Sequence, residues 1–385
     1  MIARLRLFYF LAYAGVGTWL SYFAPYLRGL GFSGEEIGAV SMTQQLVAAP
    51  AALVWGTIAD RLGAPSRALR ICAAGGAASV LGIPFARTPW QMGVVLALTA
   101  SFLAGIVPLV DSTTVEAVGR EPGRSYARTR LWGSLGFVVS AQGLGLLLSW
   151  RGDRPADPAM PIAYLSCVVA YALLAQAFPP VETHLDRPHW RDALALLRNR
   201  PLLFLLAICA LHWGACGPYH LMFGVLVRDR GLPSSITGLG MALGVVAEVG
   251  TLMAFPLLER RFSLRALFAA AFLGTAVRWA LLGRAESAAA LVLLQLPHAL
   301  TFGLWWGCAI EGMSRAVPPR LRATGQALFS AVVFGAGQAA GYALAGRGYD
   351  LFGSVSPLYT AAALVEVLPL ALLVLPLTPE RAKSP

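Results

Sequence analysis

Charge is what this chain has least of. Only 13% of its 385 residues are Asp, Glu, Lys or Arg, about half the share a soluble protein carries. A soluble fold of this size must still wet a polar surface, so burial cannot absorb the deficit. A soluble enzyme, a nucleic-acid binder and a disordered chain are therefore excluded. Lysine is nearly missing: Lys383 is the single one among 30 basic residues, and the arginines form no one patch despite the net charge of +11. The five cysteines (Cys72, Cys167, Cys209, Cys216, Cys308) lie in apolar stretches with no CxxC pair, which argues against a metal site and a disulfide framework. No GxSxG or HExxH pattern occurs, so no enzyme and no cofactor is expected.

What is abundant is apolar sequence, 57% of the chain. A membrane-crossing helix needs about 20 largely apolar residues. Such runs predict twelve helices near 5–27, 36–59, 68–86, 90–118, 131–150, 160–178, 201–227, 235–258, 265–283, 287–314, 323–346 and 355–377. Helices are required, because open strands leave backbone groups unsatisfied in lipid. The first run follows Arg4 and Arg6 and continues to Leu27, longer than a signal-peptide core, so it is read as uncleaved. With the N-terminus inside, 21 basic residues fall on the cytoplasmic side and 8 on the other. That asymmetry predicts both termini in the cytoplasm, in a bacterial inner membrane.

The stretch Pro179–Arg200 breaks the apolar pattern and reads as a linker. It divides an N-terminal six-helix bundle, 1–178, from a C-terminal one, 201–385. The halves echo each other. Arg128, Arg130, Gly133, Phe137, Gly143 and Gly145 recur 192 residues later as Arg320, Arg322, Gly325, Phe329, Gly335 and Gly337. Arg28, Gly31 and Gly38 recur 200 residues later as Arg228, Gly231 and Gly238. Internal repeats of membrane helices are how secondary transporters build a central site between two rocking bundles.

The segment Gly56-Thr-Ile-Ala-Asp60-Arg61-Leu-Gly63 resembles the GxxxDRxG loop signature of the major facilitator superfamily, and the resemblance spans the chain. The branch of the phenylpropionate permease and the lactose/proton symporter is similar at Tyr126–Ser134, Ala247-Glu248-Val249, Arg278-Trp279, Gln295–Phe302 and Arg322–Leu328. The resemblance implies an all-α polytopic membrane protein of two pseudo-symmetric six-helix bundles. It also implies a monomeric secondary transporter whose partners are a small-molecule substrate, protons and the lipid bilayer.

Ionisable residues inside spans cost at least about 2.5–3.5 kcal/mol each and mark function. Arg278 and His298 have the 20-residue separation of the symporter's proton-coupling pair, while the symporter's helix-10 Glu is Thr301 here. Glu248, with no charge within ten positions on either side, supplies a carboxylate from the eighth helix. Its isolation predicts that it is the most deeply placed acid. Glu248, Arg278 and His298 are the expected proton-coupling set, the alternative being a static ion pair. His298 shares an α-helical face with Gln295, Thr301, Phe302 and Trp305, a face suited to lining a substrate cavity or to gluing helices together. Glu116 and Arg130 match the symporter's sugar-site pair, with Glu311 and Arg322 as repeat partners; a gate pair is the other reading. Asp111, beside Pro108, is expected at a helix break facing the cavity. Asp60 and Arg61 are expected to gate the cytoplasmic face. Tyr9, Tyr13, Trp19, Tyr22 and Tyr26 could stack on a ring substrate or anchor the first helix at the membrane interface. In the seventh helix His212, Cys216 and Tyr219 share one face, and Trp213, Gly217 and His220 another; packing is favoured over lining there. Direct function is not favoured for Glu366 or Glu311.

The leading function is proton-coupled import of an aromatic carboxylate, sugar or nucleoside by alternating access. A drug/proton antiporter is the alternative, weakened because no Pro lies between Leu131 and Trp150. A non-transporting membrane sensor is a lesser one.

Overall fold

The computed structural model describes residues 1–121, 124–179 and 196–375, and within them every regular element is helical. Ten helices are long and apolar enough to cross a membrane: α1 (Ile2–Gly29), α2 (Gly34–Leu62), α3 (Pro65–Phe85), α4 (Pro89–Gly119), α5 (Tyr126–Trp150), α6 (Ala159–Gln176), α7 (Arg200–Asp229), α8 (Ser234–Arg261), α9 (Leu264–Leu282) and α11 (Thr324–Phe352). An interrupted helix, α10 (288–316), and a shorter one, α12 (Ser356–Leu372), bring the number to twelve. Each expected run has its helix. Residues 180–195 of the expected linker, and 376 and 377 of the last run, lie outside the described residues.

Local sequence sets the helix ends. Ser33 opens α2 with a capping box: its hydroxyl accepts the Glu36 N–H at 3.1 Å, and the Glu36 carboxylate accepts the Ser33 N–H at 2.8 Å. Thr88 and Gln91 do the same for α4, with Pro89 in its first turn. Asn199, Ser263 and Ser287 cap α7, α9 and α10. Gly63 closes α2 with φ at +63°, a left-handed conformation that glycine adopts without strain.

Prolines explain two interruptions. Pro218 lacks an N–H, and α7 breaks at Cys216 just before it. Pro297 sits in a turn within α10, and Ala299–Leu304 then runs as a π-helix. A second π-helical stretch, Ser330–Gly337, lies in α11. Such widened turns recur at functional sites.

The chain forms two compact units. One holds Met1–Leu185 with His220–Ala242, the other Asp186–Tyr219 with Leu243–Pro385. In the first, the Tyr22 hydroxyl lies 2.6 Å from the Ala141 carbonyl oxygen and 3.3 Å from that of Ser234. The Asp153 carboxylate accepts the Ser234 N–H, and the Ser149 hydroxyl accepts the Ser235 N–H at 2.9 Å. These contacts tie 220–242 to α1 and α5. Nearby, Asp157 pairs with Arg151 at 2.9 Å and accepts the Ala159 N–H. Burial raises its pKa, yet those hydrogen bonds outweigh it and hold the carboxyl below its usual range. The outward surface is apolar: Trp90 at the start of α4 and Trp150 at the end of α5 are both about four-fifths exposed, the placement of interfacial anchors.

In the second unit α7 and α11 meet backbone to backbone. A Cβ on Gly341 would stand 2.4 Å from the Gly214 carbonyl oxygen. Small residues allow this approach. Gly341→Val is expected to destabilise the fold by about 3 kcal/mol, seen as a lower melting temperature and lost monodispersity in detergent. Gly250→Val, where nothing lies within 4 Å, should melt like the parent.

Candidate functional site

The second unit buries an arginine. Arg278 on α9 is 1% exposed, and its donors are met one by one. Nε–H donates to the Leu294 carbonyl at 2.9 Å, Nη2–H to Gln295 Oε1 at 2.5 Å, and Nη1–H to Thr301 Oγ1 at 3.1 Å. Its guanidinium also stacks on the rings of Tyr219 and Trp279, at 4.4 and 4.6 Å from their centroids. The turn before the π-helix supplies two of these acceptors, and a continuous α-helix would have used the Leu294 carbonyl for its own backbone.

Nη1 also lies 3.3 Å from His298 Nδ1. Arginine can only donate, so Nδ1 accepts and the His298 proton sits on Nε2. That nitrogen lies 3.6 Å from a carboxylate oxygen of Glu248 on α8. The three residues expected to act together are therefore brought together by α8, α9 and α10. Glu248 is not, however, the most deeply placed acid. Its side chain is 17% exposed, whereas Glu366 on α12 is fully buried. Distance to the next charge along a helix does not report which face the residue occupies.

Glu366 is paired with His212 on α7. Nδ1 lies 2.9–3.0 Å from the two carboxylate oxygens, and Nε2 lies 2.9 Å from the Thr301 carbonyl. Thr301 thus touches both groups, its hydroxyl accepting from Arg278 and its carbonyl facing His212. Neither Glu366 nor His212 was expected to have a direct role.

The shared face expected on α10 forms in part: Gln295, His298 and Thr301 all meet Arg278, and Phe302 stacks on His298. Gln295, Thr301 and Trp305 are at most 1% exposed, and Phe302 alone of the four is half-buried. The π-helical turn offsets the two parts of α10, so Trp305 packs on His212 and Trp213 at 5.0 Å between ring centroids. Gln295 and Thr301 are occupied by Arg278.

In the first unit Tyr9 donates to Asp111 at 2.5 Å. Arg130 on α5 stacks on Tyr13, 4.0 Å from its centroid, and donates to the Tyr13 hydroxyl. Asp111 and Arg130 therefore share neighbours on α1. Glu116 does not pair with Arg130: it binds Arg120 one turn on, at 2.9 Å. Glu311 likewise binds Arg315 at 2.7 Å rather than Arg322. Both are Glu-x-x-x-Arg pairs at i,i+4, which always face each other on a helix, and that spacing was readable in the sequence. The α1 aromatics do not anchor at an interface. Tyr9, Tyr22 and Tyr26 are at most 4% exposed, and Trp19 stacks on Phe23. Asp60 and Arg61 are exposed in the last turn of α2.

Residues 2–360 match the MFS_1 like family. The chain belongs to that family of the major facilitator superfamily. It is 30% identical over 377 residues to the maltose permease of Geobacillus stearothermophilus, covering 95% of this chain and 93% of that one. It is 29% identical over 362 residues to a probable 3-phenylpropionic acid transporter of Escherichia coli, covering 91% of each. The crystal structure of the nucleoside transporter NupG (D323A mutant) superposes with a TM-score of 0.86 over 97% of this chain and 98% of that one, at 18% identity.

This major facilitator protein is thus an integral membrane transporter of small solutes. Within it His212, Cys216 and Glu366 bring three ligand-type atoms within 4.8 Å. Nδ1 of His212 faces Glu366 and Nε2 faces the Thr301 carbonyl, so both ring nitrogens are engaged by protein groups.

Proposed function

We propose that this protein imports a small organic solute together with protons by alternating access. One observation carries the reading: an arginine buried among apolar helices, met by histidine on one side, with a carboxylate behind that histidine on a separate helix. A carboxyl group beside a mobile guanidinium gains or loses its proton as the two move apart or together. Glu248 is the proton carrier in this reading, Arg278 sets its affinity, and His298 links it to the solute.

The solute contacts proposed are Asp111, Glu116, Arg130 and Phe302. Gln295, Thr301 and Trp305 hold the second group in shape from behind. Relatives named for maltose, 3-phenylpropionic acid and xanthosine define the classes to try: sugars, aromatic carboxylates and nucleosides. Arg130 suits a carboxylate, and Asp111 and Glu116 suit hydroxyls. Import is preferred over drug/proton exchange because α5 is an unbroken helix of 25 residues with no proline.

Melting-temperature shifts with those three solute classes would select the substrate. Adding it to de-energised vesicles should then alkalinise the medium; acidification would favour exchange. We place both termini and Asp60–Arg61 on the cytoplasmic side of a bacterial inner membrane, the latter pair as a gate. Reporter fusions at Arg154 and Pro188 are expected to lie on opposite sides, and finding both on one side would refute this orientation.

A further inference from the structure

The contacts in the second unit form one line. It runs from Glu248 to His298 (3.6 Å), to Arg278 (3.3 Å), to Thr301 (3.1 Å), and from the Thr301 carbonyl to His212 (2.9 Å) and Glu366 (3.0 Å). Glu248 stands at one end and the His212–Glu366 pair at the other. The reading of Glu248 as proton carrier leaves the second end unused.

Hydrogen-bond chemistry fixes the protons that the pair holds. A carbonyl oxygen only accepts, so His212 Nε2 carries a proton toward Thr301. In this arrangement one more proton lies across the Nδ1–Glu366 contact, on either nitrogen or oxygen. Losing it leaves a nitrogen lone pair facing a carboxylate, a cost that is offset when a nearby buried cation needs a counter-charge. The pair with this proton is neutral overall; without it the pair carries one negative charge.

Charge balance then couples the two ends. Arg278 is always cationic, and a buried cation needs a counter-charge. Ionised Glu248 supplies it. When Glu248 takes a proton, the counter-charge must come from elsewhere on the line. The other titratable or charged groups around the pair are Cys216 and Tyr219 on α7, Arg278 on α9, His298 on α10 and Tyr359 on α12. Of these and the pair itself, Glu366 is the one carboxyl group.

We propose that His212 and Glu366 form a second proton site, which releases its shared proton when Glu248 binds one and so keeps Arg278 neutralised. One proton is bound at Glu248 and one is lost from the Nδ1–Glu366 contact. The Nε2 proton stays on the Thr301 carbonyl, and the net charge of the line does not change. Cys216, whose sulfur lies 3.8 Å from Nε2, is a bystander in this exchange.

The proposal rests on the reading of Glu248 as a titrating group, and its test uses no substrate. Infrared pH-difference spectra of the purified protein in liposomes would be recorded from about pH 5 to about pH 10, for wild type, Glu366→Gln, His212→Gln and Glu248→Gln. Bands lost in both Glu366→Gln and His212→Gln belong to the pair. A unit charge removed at about 10 Å changes a proton affinity about tenfold at a dielectric of about 20. The pair's bands are therefore expected to titrate about one pH unit lower in Glu248→Gln than in wild type. Bands that titrate at the same pH in both, or no titrating bands, would overturn the proposal. If Glu366→Gln is not recovered folded, histidine-labelled wild type compared with His212→Gln makes the same assignment. Uphill accumulation by Glu248→Gln would refute the coupling role of Glu248, while the spectra separately report whether the pair titrates.

Discussion

Glu248→Gln is expected to abolish uphill accumulation of substrate while exchange across equilibrated vesicles survives. Gln keeps the shape and a polar oxygen toward His298 Nε2, which lies 3.6 Å from the carboxylate in the parent, but it cannot bind or release a proton near neutral pH. A symporter whose carrier is fixed in the neutral form still binds solute and cycles while loaded. It cannot return empty with its proton discharged, so the gradient no longer drives it. Accumulation should fall by at least about tenfold, and the exchange rate by less than about threefold; an effect of one decade corresponds to about 1.4 kcal/mol. Continued accumulation against a gradient would place the proton elsewhere, with Asp111, beside Tyr9, the next residue to test.

Arg278 carries the second large effect. Removing its side chain does two things at once. It takes away the charge proposed to set proton release, and it orphans the Leu294 carbonyl and Gln295 Oε1 inside the unit, while Thr301 Oγ1 still accepts from the Thr275 hydroxyl. Each buried acceptor left unpaired costs about 1–3 kcal/mol, so Arg278→Ala should melt several degrees lower as well as transport poorly. Arg278→Lys separates these consequences. Lysine retains the charge but lacks the planar fork that reaches three acceptors. In Arg278→Lys, net uptake is expected to fall more than exchange, with the optimum pH displaced, because proton release is slowed while loaded cycling continues. Equal losses in both assays would make Arg278 a packing residue alone.

The twelve helices were legible because a bilayer-spanning segment must be apolar along its whole length, and their caps, such as Ser33 with Glu36, are local signals. The grouping of Glu248, Arg278 and His298 was legible for a similar reason, since each stands out as a polar group in apolar surroundings. What the sequence hid were partnerships across helices. His212 and Glu366 are 154 residues apart, and no periodicity along either helix points to the other. The π-helical turn in α10 was also invisible. Pro297 signals a break, but Ala299–Leu304 has no residue that dictates a wider turn, so counting by 3.6 placed Trp305 on the wrong face. Glu116 and Arg130 failed for the opposite reason: the nearer Arg120 was in plain view.

That widened turn also has a meaning in terms of chain length. A π-turn holds one residue more than the α-turn it replaces. Ala299–Leu304 is the kind of segment that a single-residue insertion creates, and a single deletion there would erase it. Such a deletion would not shorten the protein in any important sense. Because the deletion removes the residue that the wide turn absorbs, Trp305 to Ala316 would keep their facing relative to His298, whereas the same deletion in an α-helical turn would rotate them by about 100°. The wide turn is thus a place where α10 can gain or lose one residue with Trp305 still packed on His212, and alignment gaps among relatives are expected at 299–304 rather than elsewhere along the helix.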